Sequence, residues 1–239
     1  MAAAAPREDR PAAAVLVFTL IDTSAKRLIT AGLPALQVVF FRYAGAFVTA
    51  LLFFVPQGGL GVFRSARPGI QALRAAALLG STVFNFFALR YLPITVTTTL
   101  MFAMPVVITV LSIPVLGENV GLRCLLAVGA GFLGVVVIVQ PWDATFHWAV
   151  FLSIGALLFA SCYFVMTRLL AGADNNSTSQ LWASGLATLA LAPIALDDIE
   201  WPTGGLEMFV LLFIGVLGGV GHILGSSPIA SPPRQPWHR

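Results

Sequence analysis

The chain has 239 residues, of which 58% are hydrophobic and only 10% charged, and its mean hydropathy is +0.92. Soluble domains carry about a quarter charged residues, so this balance excludes a globular cytosolic protein and makes the lipid bilayer the chain's solvent. A net charge of +3, spread over 13 Lys and Arg and 10 Asp and Glu, follows from the membrane topology described below and gives no reason to expect a nucleic-acid partner.

Charge-free runs occupy 43–63, 75–89, 91–117, 124–142, 144–167, 175–196 and 208–233. A bilayer core about 30 Å thick is crossed by about 20 apolar residues in a helix, which satisfies its own backbone hydrogen bonds in lipid. The alternating ten-residue pattern of a membrane β-barrel is absent from the sequence. The expectation is an all-α integral membrane protein of about eight spans, at roughly 12–33, 35–56, 72–91, 94–116, 120–140, 147–168, 177–196 and 206–225. The first segment could be mistaken for a secretory signal with its apolar core at 12–21, but its leader "REDR" has no net charge. Connections are short, and the longest, 57–71, is a stretch of turn-forming and basic residues.

In the fourth span Pro105 removes a backbone hydrogen bond and predicts a kink. Glu118 falls near the N-terminus of the fifth helix, where the helix dipole favours a carboxylate. Ala127, Ala130, Gly131, Gly134, Gly215 and Gly219 are small residues, several at four-residue spacing, that let helices approach closely, either within the chain or in a homodimer. Cys124 and Cys162 are isolated inside spans and read as packing residues. After the eighth span the sequence changes to "GSSPIASPPRQPWHR", whose prolines and arginines cannot form an apolar span.

Placing the cations on this frame puts Arg7, Arg10, Arg64, Arg67, Arg74, Arg123, Arg168, Arg234 and Arg239 on the side of the N-terminus, and Arg90 opposite. By the positive-inside rule the N-terminus is cytoplasmic.

The chain also resembles itself. "AKRLITAG" at 25–32 echoes "MTRLLAGA" at 166–173, Gln37 corresponds to Gln180, and "LLG" at 78–80 corresponds to "VLG" at 216–218. The shared order and an offset of about 140 residues suggest two copies of one unit, and a unit of five spans would place its second copy upside down in the membrane. On this division the expectation is a first repeat of five helices at 12–140, a partial second one at 147–224 and an aberrant tail at 225–239, in a chain two helices short of the pattern that would insert in the membrane without transporting.

The run "RYLPITVTTTLMFAMPVVITVLSIPVLGENVGLRCLLAVGAGFLGVVVIVQP", with "IDTSAKRLI" and "QVVFFRYAGAF" upstream, resembles the EamA-type transporters of the drug/metabolite transporter superfamily. The closest pieces are "ALRYLP", Pro105, "LGE" at 116–118 and the Gly-rich fifth span, whereas "ILGSSPIASPP" after Gly221-His222 departs from the family pattern. The resemblance implies a bundle of ten helices in two inverted repeats. It also implies location in the bacterial inner membrane and export of small metabolites, amino acids or drug-like solutes by alternating access.

Ionisable residues at membrane depth are costly and ordinarily face a bundle interior or aqueous cavity. Asp22, Lys26 and Arg27 lie within the first span and Arg42 within the second; Asp22 and Lys26, four apart, share a helix face. Either Asp22, Lys26 and Arg42 face a solute cavity, or the cations reach the headgroups while Asp22 pairs with Lys26. Asn85 and the row Thr97, Thr98, Thr99 add polar groups that could touch solute or join helices. The candidate substrate-binding set is therefore Asp22, Lys26, Arg42, Asn85 and Thr98. The rival class, a membrane-embedded enzyme, finds no G-x-S-x-G, H-E-x-x-H or clustered Cys/His ligand set, and His147, His222 and His238 are scattered. No catalytic residue, metal site or cofactor is expected; the expected partners are the bilayer and a small-molecule solute.

Overall fold

The computed structural model describes residues 10–117, 121–139, 147–197 and 199–225; Glu118 and the Pro/Ser/Arg tail from 226 onward lie outside the described residues. Among the described residues there are nine α-helices, one 3-10 helix and no strand: α1 (Arg10–Thr30), α2 (Ala35–Gly58), the 3-10 turn (Gly59–Phe63), α3 (Pro68–Tyr91), α4 (Ile94–Met101), α5 (Met104–Leu116), α6 (Leu122–Val139), α7 (Val150–Leu169), α8 (Asn176–Ala195) and α9 (Gly205–Gly225).

Each expected span has a helical counterpart, and the all-α membrane architecture holds. By length and apolarity the count falls below the expected eight: among the described residues five stretches are long and apolar enough to cross, Ala35–Phe63, Pro68–Tyr91, Ile94–Leu116, Val150–Leu169 and Gly205–Ile223. α1, α6 and α8 are not among them. α1 carries Asp22, Lys26 and Arg27 along its length, and α8 opens on "NSTSQ".

Local chemistry sets the breaks. α1 ends at Gly32, whose φ of +105° suits a residue without Cβ. There Gly32 N–H bonds the Ile29 carbonyl and Leu33 N–H the Leu28 carbonyl, and Pro34 then leads into α2. The fourth span does more than kink at Pro105, since it breaks into α4 and α5. Pro105 has no N–H for the Met101 carbonyl, and the chain tightens just before it through Phe102 N–H to Thr99 O (3.1 Å) and Ala103 N–H to Leu100 O (3.0 Å).

Packing follows from small residues on facing helices. α3 lies along α7, α2 along α9 and α8, α1 along α9, and α5 against α7. Main chain meets main chain at Gly45 on α2 and Gly215 on α9, where a Cβ on Gly215 would stand 2.5 Å from Gly45 Cα and 2.7 Å from the Phe41 carbonyl oxygen. Gly219 meets Thr49 in the same seam. These two glycines therefore serve packing within the chain. The apolar core gathers Ile21, Leu28, Val38, Tyr43, Phe86, Leu89, Leu211 and Ile214. The outer faces carry large apolar side chains such as Leu16, Leu52 and Phe213, as expected where lipid is the solvent.

Substituting Gly215→Val should force α2 and α9 apart, because main chain cannot yield as a side-chain tip does. A loss of about 3 kcal/mol is expected, with a lower thermal midpoint in detergent. Gly134→Val, with nothing within 4 Å of its Cβ, should leave the midpoint unchanged.

Candidate functional site

A helix interior in lipid must satisfy every polar group it encloses, and this bundle encloses many: Gln37, Arg42, Gln71, Arg74, Thr82, Ser179, Gln180 and Ser184 are all buried. They fall into three sets, one in the middle and one at each end.

The central set surrounds a cavity of about 20 Å³ between α2, α3, α7, α8 and α9, room for a single water-sized molecule. Arg42 (α2) and Arg74 (α3) both line it, with Tyr43, Tyr163, Gln180, Ser184 and His222. Arg42 is 6% exposed and Arg74 5%. Arg42 Nη1 donates to Thr82 Oγ1 (2.9 Å), and Thr82 in turn shares a 2.7 Å hydrogen bond with the Tyr43 hydroxyl. The Arg42 guanidinium carbon lies 4.9 Å from the Tyr43 ring centre. Arg74 is held in the same manner but more completely: Nε donates to Thr167 Oγ1 (2.8 Å), Nη1 to the Ser179 carbonyl (2.9 Å) and Nη2 to the Tyr163 hydroxyl (2.8 Å). Its guanidinium lies 4.5 Å from the Tyr163 ring centre. All these braces are neutral, so they orient the cations and leave their charge in place. Two buried nitrogens on this wall have no hydrogen-bond partner, Arg42 Nε and His222 Nε2.

At one end the Asp174 carboxylate ties three segments together. It accepts hydrogen bonds from the Ser65 hydroxyl (2.5 Å), the Ala66 amide (2.7 Å) and Gln71 Nε2 (2.9 Å). Gln71 Nε2 also bonds Ser179 Oγ, and Trp182 Nε1 donates to the Phe63 carbonyl (3.0 Å). Outside this latch lies an open recess of about 630 Å³ lined by the end of α2, the 3-10 turn and residues 173–178; Asn176 borders both recess and cavity.

At the other end Lys26 Nζ donates to the carbonyls of Leu89 and, at 3.0 Å, Leu92. Gln37 exchanges two hydrogen bonds with the Glu200 backbone (2.7 and 3.0 Å), and Arg27 pairs with Glu207 at 2.8 Å.

Of the five residues singled out in the sequence, Arg42 lines the cavity. Asp22 accepts a hydrogen bond from Asn85 Nδ2 (3.1 Å) between α1 and α3, near enough to Arg42 for the charges to attract. Lys26 caps α3, and Thr98 is exposed on α4. Asp22 and Lys26 do face one helix, α3, but each bonds that helix and they form no ion pair with each other. Arg74, placed by sequence among the loop cations, is instead buried beside the cavity. Its signal was present as a polar stripe at helical spacing along α3, Gln71, Arg74, Thr82 and Asn85, and as Gln180 and Ser184 four apart on α8. The single letters of Tyr43, Tyr163 and His222 gave no such cue.

The EamA-like transporter family matches residues 12–140. Among curated proteins, the riboflavin transporter of Vibrio cholerae is 30% identical over 205 residues, covering 84% of this chain and 68% of that protein. The S-adenosylmethionine uptake transporter of Rickettsia prowazekii is 26% identical, covering 87% of this chain and 69% of its own length. The pseudopaline exporter of Pseudomonas aeruginosa is 27% identical, covering 88% and 73%. No solved structure matches the chain. A bundle with an apolar exterior and a buried polar cavity, matched over more than half its length by this one family, belongs to the EamA-like transporters and is a multi-pass membrane transporter of small solutes.

Proposed function

We propose that the chain carries a small acidic or zwitterionic organic solute through the Arg42/Arg74 cavity by alternating access, in a bacterial inner membrane with its N-terminus cytoplasmic. The observation that carries this reading is two buried guanidinium groups on one cavity, braced only by neutral partners. A buried cation with no carboxylate on the cavity wall is costly, since Asp22 attracts Arg42 only from between α1 and α3, and an anionic solute supplies a counter-ion inside the cavity on binding.

Two closures support a gated path. The Asp174 latch separates the cavity from the open recess, while Lys26, Gln37 and the Arg27–Glu207 pair draw the helix ends together at the opposite end. A cavity of about 20 Å³ cannot hold an organic solute, so binding requires one closure to open.

Helix packing supports the inverted-repeat reading. Exchanging α1 with α7, α2 with α8 and α3 with α9 converts the α1–α9 contact into α7–α3 and the α2–α9 contact into α8–α3, and returns α2–α8 to itself. The relatives are named for different solutes, riboflavin, S-adenosylmethionine and pseudopaline, the second for uptake and the third for export. Our proposal concerns what is carried and where it sits. All three are named as transporters, in keeping with a carrier and not a membrane-embedded enzyme.

The test is exchange in proteoliposomes with labelled riboflavin, S-adenosylmethionine and a panel of short organic acids. At least one solute should exchange, and Arg42→Ala should abolish exchange while leaving the protein inserted and folded. Absence of any exchange by the wild type, or undiminished exchange by the variant, would refute the proposal. Reporter fusions after Arg67 and after Trp201 should fall on opposite sides, cytoplasmic and external; the same side for both would refute the orientation.

The latch has its own pH signature. Desolvation is the largest influence on Asp174 and raises its pKa, but the hydrogen bonds from Ser65, the Ala66 amide and Gln71, with Arg67 nearby, together outweigh it and hold the carboxyl below its ordinary 3.8. A depressed carboxylate stabilises the folded latch above the ordinary value, and that contribution is lost as pH falls through the depressed one. In a variant whose other four tryptophans are replaced by Phe, collisional quenching of Trp182 should be flat above about pH 5 and rise below about pH 4. Asp174→Asn should show raised quenching at every pH.

A further inference from the structure

We infer that the solute carries two acidic groups, one seated at Arg42 and the other at Arg74. This rests on the carrier reading above and adds to it the chemistry of the solute.

The two cations come from different helices yet line one cavity, and neither is spent on a carboxylate there. Among the described residues no Asp or Glu borders the cavity, and the ion pair found is Arg27–Glu207, at the far end. Asp22 attracts Arg42, but it sits between α1 and α3, engaged by Asn85, and is not part of the wall. Each guanidinium is held by the same pair of devices: a threonine hydroxyl and a tyrosine ring. Thr82 and Thr167 each donate to the carbonyl four residues earlier on their own helix, which fixes the hydroxyl oxygen as an acceptor for the guanidinium. Both forks are thereby pre-oriented without being neutralised.

Donor capacity remains at each fork. Arg42 Nε is buried and unpartnered, and a guanidinium has five N–H groups, of which the hydrogen bonds that Arg74 donates use three. Charge-assisted hydrogen bonds to a carboxylate or phosphate are the strongest such a fork can make. A solute with one acidic group can satisfy one fork and leaves the other cation buried. Two acidic groups on one carbon skeleton satisfy both, and the second contact gains from being intramolecular. His222 Nε2, buried and unpartnered on the same wall, offers a further hydrogen bond to the skeleton between the two acids.

The purified 239-residue chain in detergent is titrated with straight-chain α,ω-dicarboxylates of three to eight carbons and with the half-amide of each, followed by calorimetry. At least one dicarboxylate should bind about tenfold or more tightly than its half-amide, about 1.4 kcal/mol. Arg42→Gln and Arg74→Gln, each checked for an unchanged thermal midpoint, should bring the two ligands within about twofold of each other. Arg42→Lys and Arg74→Lys keep the charge and should keep the preference at lower affinity, which maintains the test where a glutamine variant folds poorly. The inference is overturned if half-amides match dicarboxylates in the wild type, if no acid binds, or if the preference survives in a folded glutamine variant. Exchange of a solute without acidic groups in proteoliposomes, together with any of these results, would sink this inference and leave the transporter intact.

Discussion

Two guanidinium groups kept out of water in the middle of a helical bundle are the constraint around which the polar interior is arranged. A cation at membrane depth must be surrounded by acceptors, and here the acceptors come from three helices: Thr82 of α3 for Arg42, and Thr167, Tyr163 and the Ser179 carbonyl of α7 and α8 for Arg74. Arg74 alone therefore ties α3 to α7 and to α8. Without it the Ser179 carbonyl and the two hydroxyls would lose a donor in a region where water is scarce.

The glycine seam sets the position of this polar interior. Because Gly45 and Gly215 bring the backbones of α2 and α9 into contact, Gly218 lies against the Arg42 main chain and His222, one turn on, reaches the cavity wall. A larger residue in the seam would move the histidine away from the arginine as well as loosen the packing. Van der Waals fit along the seam and the chemistry of the wall are thus one feature of the fold.

Much of the fold was legible because bilayer thickness and the cost of unpaired backbone restrict the choices so severely. Charge-free runs located the helices to within a few residues, and Pro105 located the break between α4 and α5. The number of long apolar crossings was not legible in the same way. Lone charges in α1 and the polar opening of α8 lower their apolarity, while tertiary contacts such as Asp22–Asn85 and Gln71–Ser179 supply the missing partners. The candidate site was legible in part. Arg42 announced itself as a charge deep in an apolar run, but Arg74 stands near a helix start and resembles an ordinary loop cation until its burial is known. Lys26 misled for the opposite reason, since a cation inside a span can serve the carbonyls that end a neighbouring helix. Sequence gives depth along an axis well and azimuth around it poorly, and azimuth decides which residues share a cavity.

The Lys26 contact has a mechanical meaning. The final carbonyls of a helix lack donors from their own helix, and at Leu89 and Leu92 the donor is an ammonium group from α1. Separating the two helices would strand an unpaired cation and two bare carbonyls together, a penalty far larger than that of sliding apolar surfaces past one another. α1 and α3 are consequently fastened as a single strut, and the compliance needed to admit a solute is displaced to seams of small and apolar side chains such as α2–α8, where Gly185 packs against the Phe47 ring.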